Sequence, residues 1–170
     1  MNIPIYQAVL NDNLGLQCIS AVPNPAMEVE MLLFNKQEKR LNFVVNEELE
    51  HCITSVVIKC DEPIYRYDYE IGDYYITFDK KVIKQLIEKY SKDNLLNNFS
   101  VHHNGTLLND VVMVEFFIKD TTKGINPTAE QFKDIKDGSL FCTFKINNNE
   151  LWEEIKNGNF GGLSMEVVID

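Results

Sequence analysis

Short apolar stretches separated by turn-forming residues recur along most of the chain, the pattern of a strand-rich fold and not of stacked helices. Residues 16–22 alternate into Pro23, residues 31–34 form an apolar run, and residues 41–45 resume one before Asn46. Residues 55–59 are rich in valine and isoleucine, as buried strands are. Residues 74–78 follow a Gly-Asp pair, and residues 111–118 and 139–146 complete the set. Such spacing predicts a barrel or sandwich more than a layered parallel sheet.

Two stretches break into helical period. Asp79 is a capping residue, and Val82, Ile83, Leu86, Ile87 and Tyr90 follow at the three-and-four spacing of one buried face. A second helix opens near Asn148 or Asn149, holds Leu151, Trp152 and Ile155, and stops at Asn157-Gly158, where glycine can take the left-handed cap. Residues 121–137 mix Thr, Lys, Gly, Asn, Pro and Asp and predict a long exposed loop, mobile and bordering the active site.

At 170 residues the chain is expected to form one domain, residues 1–170, with a single substantial core. Its net charge of -10 argues against a nucleic-acid partner, because phosphate binding needs a basic stripe; the nearest approach, Lys80-Lys81 with Lys84, reads as a solvated helix face. No apolar run reaches the roughly 18 residues of a membrane span, and Met1-Asn2-Ile3-Pro4 does not look like a signal peptide, so no membrane contact and an intracellular setting are expected. Cys18, Cys52, Cys60 and Cys142 lack a C-x-x-C spacing and read as core residues. Adjacent His51 and Cys52 would point to opposite sides of a strand, so a zinc site with Cys60 is disfavoured.

The candidate chemistry lies in the last seventy residues. Ser164 follows Gly161 and Gly162, a small-residue turn that could present a hydroxyl at the start of a strand with backbone N–H groups nearby. A hydroxyl is a poor nucleophile until an imidazole takes its proton, and His103, before the Asn104-Gly105 turn, would sit at a strand end as a general base. His102 reads as a surface or half-buried residue. Glu115 stands inside an apolar run, where a carboxylate either faces solvent or is buried with a partner; orienting an imidazolium would supply one. Asp110 and Asp120 are rivals at the two ends of that strand.

At these residues the chain resembles the prohead serine proteases of tailed phages and prophages, a family related to herpesvirus assemblin. Near the N-terminus the similar residues are 19–28, with Pro25-Ala26-Met27-Glu28, followed by Leu33-Phe34-Asn35; in the middle they are Pro63-Ile64-Tyr65-Arg66 and residues 74–78. The most specific part is five ordered blocks: His103-Asn104-Gly105, Val114-Glu115-Phe116-Phe117-Ile118, Asp137-Gly138-Ser139-Leu140, residues 150–158, and Gly162-Leu163-Ser164-Met165-Glu166. Where the family favours an aromatic residue before the serine, this chain has Leu163.

The resemblance implies a mostly β (α+β) domain with an assemblin-like, partly closed β-barrel and peripheral helices. It implies a serine endopeptidase with Ser164 as nucleophile, His103 as general base and Glu115 at the acidic position after the histidine. The backbone of Gly162, Leu163 and Ser164 would form the oxyanion hole. Herpesvirus relatives draw a third catalytic histidine from well beyond the serine; either Glu115 substitutes here, or part of the site lies outside residues 1–170. No cofactor or metal is implied. The implied partners are a scaffold protein and the major capsid protein precursor, with the portal and a homo-oligomer as further candidates, inside the assembling prohead in the host bacterial cytoplasm. Self-cleavage is compatible with that role. The alternative is a catalytically inactive capsid-assembly or scaffold-type binding protein of the same fold.

Overall fold

The computed structural model of the protein describes residues 3–11, 14–24, 32–34 and 51–168. The strand predicted over residues 41–45 and the whole Pro25-Ala26-Met27-Glu28 segment lie outside them. In chain order the strands are β1 (Ile5–Gln7), β2 (Gly15–Val22), β3 (Leu32–Phe34), β4 (Cys52–Ile58), β5 (Ile64–Asp68) and β6 (Gly72–Thr77). Helix α1 (Lys80–Lys92) precedes β7 (Phe99–Val101), β8 (Val111–Ile118) and β9 (Leu140–Ile146), and α2 (Asn149–Lys156) precedes β10 (Gly162–Val168). This is an α+β fold.

The strands form three sheets, ordered β1-β6-β5, β10-β2-β7 and β3-β4-β9-β8. Among the described residues none closes on itself: the sheets share a core, and no closed barrel is found. The main cluster joins Ile19 and Ala21 of β2, Phe99 of β7, Leu163 and Met165 of β10, Ile53 and Val57 of β4, and Phe144 and Ile146 of β9. Both helices pack their predicted faces into it: Val82, Ile83, Leu86, Ile87 and Tyr90 from α1, and Leu151, Trp152 and Ile155 from α2. Asp79 caps α1 by accepting from Val82 N–H at 2.8 Å, and Asn148 caps α2 by accepting from Leu151 N–H at 2.9 Å. His51, at one end of β4, stacks on Trp152 with ring centroids 4.7 Å apart.

Residues 121–137 are largely exposed, as expected, but they are tied down by two short 3-10 turns, Thr121–Lys123 and Glu130–Phe132, and by two buried side chains. Phe132 is fully buried with Ile135, Val56 and Phe141 in a second, smaller cluster, and its ring meets Phe141 edge-on at 5.1 Å. The buried Lys119 donates to the carbonyls of Phe132 (3.4 Å), Lys133 (3.1 Å) and Ile135 (2.5 Å), so an ammonium is satisfied by the turn it holds in place. At the start of the segment Asp120 pairs with Lys80 at 2.9 Å and accepts from the Thr122 hydroxyl at 2.6 Å. At its end Asp137 accepts from the backbone and hydroxyl of Thr121. The polar composition hides two apolar anchors, Phe132 and Ile135, three residues apart.

Candidate active site

The three-stranded sheet β10-β2-β7 separates its residues by chemistry, because side chains alternate between faces and paired residues share a face. Leu163 pairs with Ala21, Met165 with Ile19, and Ile19 with Phe99, and this face lies on the main core. On the opposite face Ser164 pairs with Ser20 and Ser20 with Ser100, so one rung carries a serine from each of three strands. Glu166, two residues after Ser164, pairs with Cys18 on that same face. Ser164 is thus the third residue of a paired strand, not part of the turn before it.

His103 comes to this face from the turn after β7. Val101 pairs with Ala21, His102 N–H donates to Ala21 O at 3.0 Å, and Asn104 N–H donates to Val101 O at 3.1 Å, turning the chain sharply at the edge of the sheet. Both histidines sit in the left-handed region, with φ of 55° at His102 and 51° at His103. For residues with a Cβ this conformation costs roughly 1–2 kcal/mol each, so the surrounding contacts hold it against local preference. The His102 ring lies on Phe160 at 5.0 Å, whereas His103 extends over the sheet.

There His103 Nδ1 meets Glu166 Oε1 at 2.8 Å. With the carboxylate ionised, Nδ1 carries the hydrogen and Nε2 keeps its lone pair, the tautomer a general base needs. Ser20 Oγ donates to the same Glu166 oxygen at 3.3 Å, Ser20 and Ser100 hydroxyls lie 2.5 Å apart, and Cys18 Sγ is 3.6 Å from Ser100 Oγ. Burial, together with the Glu166 charge, pushes the Cys18 thiol above its ordinary range, so it stays protonated.

The structure corrects the placement of Glu115. It lies on β8 of the four-stranded sheet, opposite Thr143 of β9, and accepts from Thr143 Oγ1 at 3.3 Å. β8 pairs with β9, whereas the His103 turn follows a strand paired with β2, so the two segments are not neighbours in one sheet. Of the rivals, Asp120 is engaged with Lys80 and Thr122, and Asp110 accepts from Asn148 Nδ2 at 2.9 Å. The carboxylate on His103 is Glu166. The sequence carried the signal for it: a strand through Ser164-Met165-Glu166 puts its first and third side chains on one face. Among the described residues, no group of three or more His, Cys, Asp and Glu side chains could hold a metal ion.

Residues 40–170 match the family described as "Putative phage serine protease XkdF". The chain belongs to this phage serine protease family. The matched span contains His103, Ser164 and Glu166, and Ser20 lies before it. Neither a curated protein nor a solved structure shows significant similarity to the chain.

Proposed function

We propose that this member of the family is an active serine endopeptidase of phage capsid (prohead) maturation, cutting a scaffold protein or the major capsid protein precursor and able to cut itself. The observation that carries the reading is the 2.8 Å contact of His103 with Glu166 on the face that bears Ser164. Ser164 Oγ attacks the peptide carbonyl and gives its proton to His103 Nε2, while Glu166 accepts from Nδ1 and stabilises the imidazolium. His103 then passes that proton to the leaving amine, and water hydrolyses the acyl-enzyme by the same route. The proposed oxyanion donors are backbone N–H groups of Gly162, Leu163 and Ser164. β10 has a hydrogen-bonded neighbour on one side only among the described residues, so alternate N–H groups face away from β2.

The test is co-expression of the chain with its phage's scaffold and capsid precursors, beside labelling of the purified protein with a fluorophosphonate. Wild type is expected to process a precursor and to be labelled at Ser164; Ser164→Ala is expected to fold and do neither. Equal processing by Ser164→Ala would overturn the assignment of the nucleophile. The net charge of -10 favours the alternative, a non-catalytic protein contacting a basic inner capsid surface. That reading requires Ser164→Ala to support capsid assembly as well as wild type does.

A further inference from the structure

Behind the histidine–carboxylate pair lies a row of groups that the proposed reaction does not use. Ser20 and Ser100 have no exposure, Cys18 has almost none, and the three connect end to end onto Glu166. The hydrogens in the row have one consistent direction. An ionised carboxylate only accepts, so the single Ser20 proton goes to Glu166 Oε1. Ser20 must then accept at 2.5 Å from Ser100, whose own proton is thereby spent. Ser100 accepts in turn from the Cys18 thiol, which it shares with the Ile19 carbonyl at 3.5 Å.

The row ends on a particular atom. Glu166 Oε1, and not Oε2, receives both Ser20 Oγ and His103 Nδ1. Glu166 is half-buried on a strand that is at the sheet edge among the described residues, and could otherwise swing its carboxylate toward water. A donor fixed from below on the oxygen that His103 uses opposes that rotation. The donor is itself fixed, because β2 and β7 are paired in register at Ser20 and Ser100. Two fully buried hydroxyls would be unfavourable on an apolar sheet face and are satisfied here only by each other and their neighbours.

We infer that Ser20 and Ser100 are positioning residues, which hold Glu166 Oε1 against His103 and so fix the imidazole over the sheet face that bears Ser164. This rests on the reading of Ser164, His103 and Glu166 as the catalytic set. It predicts a geometric role in which substrate is not touched.

The experiment compares wild type, Ser20→Ala, Ser20→Thr and Ser100→Ala by peptide cleavage and by the imidazole NMR of His103, assigned through His103→Asn. Misplacing a catalytic group by about an ångström costs up to about 100-fold. Ser20→Ala is accordingly expected to lower kcat about 10- to 100-fold with KM within about twofold. It should also weaken the downfield Nδ1 proton signal, and Ser20→Thr, which restores a hydroxyl, should recover both. Ser100→Ala is expected to give a smaller loss of the same kind. Unchanged kcat and an unchanged Nδ1 signal in Ser20→Ala would overturn the inference, as would a loss that Ser20→Thr does not recover. The NMR signal needs no turnover: a wild type that cleaves nothing counts against the proposed function, while the Nδ1 response still decides the positioning role. If Ser20→Ala does not fold, Ser100→Ala decides: loss of the Nδ1 signal supports the inference and its retention overturns it.

Discussion

Replacing Glu166 by glutamine removes one charge while keeping the side chain's size and a carbonyl that can still accept from His103 Nδ1. What is lost is the attraction between a carboxylate and the imidazolium that the proposed reaction forms when Ser164 gives up its proton. With Nδ1 and Oε1 2.8 Å apart, the charge centres lie about 4 Å apart, for which Coulomb's law gives about 4 kcal/mol near a protein surface and about 1 kcal/mol in bulk water. His103 and Glu166 are 38% and 34% exposed, so solvent screens the pair and a value of about 2 kcal/mol is appropriate. That corresponds to a roughly 30-fold fall in kcat. The assay is initial-rate cleavage of a peptide from the processed precursor, at low salt and at 1 M salt, where the screening length shrinks to about 3 Å. The wild-type advantage should narrow at high salt. Glu115→Gln serves as the control, because its partner is Thr143, and should stay near the wild-type rate. A Glu166→Gln rate within twofold of wild type, or an equal loss in Glu115→Gln, would refute the reasoning.

Three further outcomes follow from other parts of the molecule. Phe132→Ala empties the centre of the smaller cluster and should destabilise the protein by about 3–5 kcal/mol in urea unfolding; a loss below about 1 kcal/mol would show that residues 121–137 are not anchored as described. The Thr122 hydroxyl and the Lys80 ammonium hold the Asp120 carboxyl well below the usual carboxylate range, so its contribution is complete above the unfolded value near pH 4 and is lost as pH falls toward the folded one. Asp120→Asn should therefore lose less Tm than wild type between pH 6 and pH 3, and parallel losses would contradict the ion pair's role. His102→Gly trades ring contact with Phe160 for relief of a left-handed backbone and should keep cleavage within about threefold of wild type, whereas His103→Ala should abolish it; the reverse result would move the base to His102.

Much of the fold was legible because its signals are local. The strand predicted over residues 111–118 is β8, and both helices begin at the expected caps and bury the expected faces. The short strand β7 escaped because three residues are too few to show a period. Sheet partnership was not legible at all, since it joins residues far apart in the chain, and the choice between Glu115 and Glu166 depended on it. Ser164 and His103 announce themselves by residue type and by the turns around them. Glu115 drew notice as a charge in an apolar run, but it stands exposed on β8, where solvent and the Thr143 hydroxyl accommodate it. Ser20 and Ser100 look like ordinary strand serines until β2 and β7 are laid side by side.

If the protein is the endopeptidase proposed above, the rung of three serines also bears on when it could first cut its neighbours. Ser20 lies 146 residues before Glu166, and the two share a sheet only after the intervening chain has closed a loop of that length. The free-energy cost of so long a closure rises only slowly with length, but non-local strand pairing is slow to form. A half-folded chain can have its helices and the β8–β9 hairpin and still have no aligned nucleophile. On that reading, latency during synthesis would come from chain topology, because the site is set only when β2 and β10 have met.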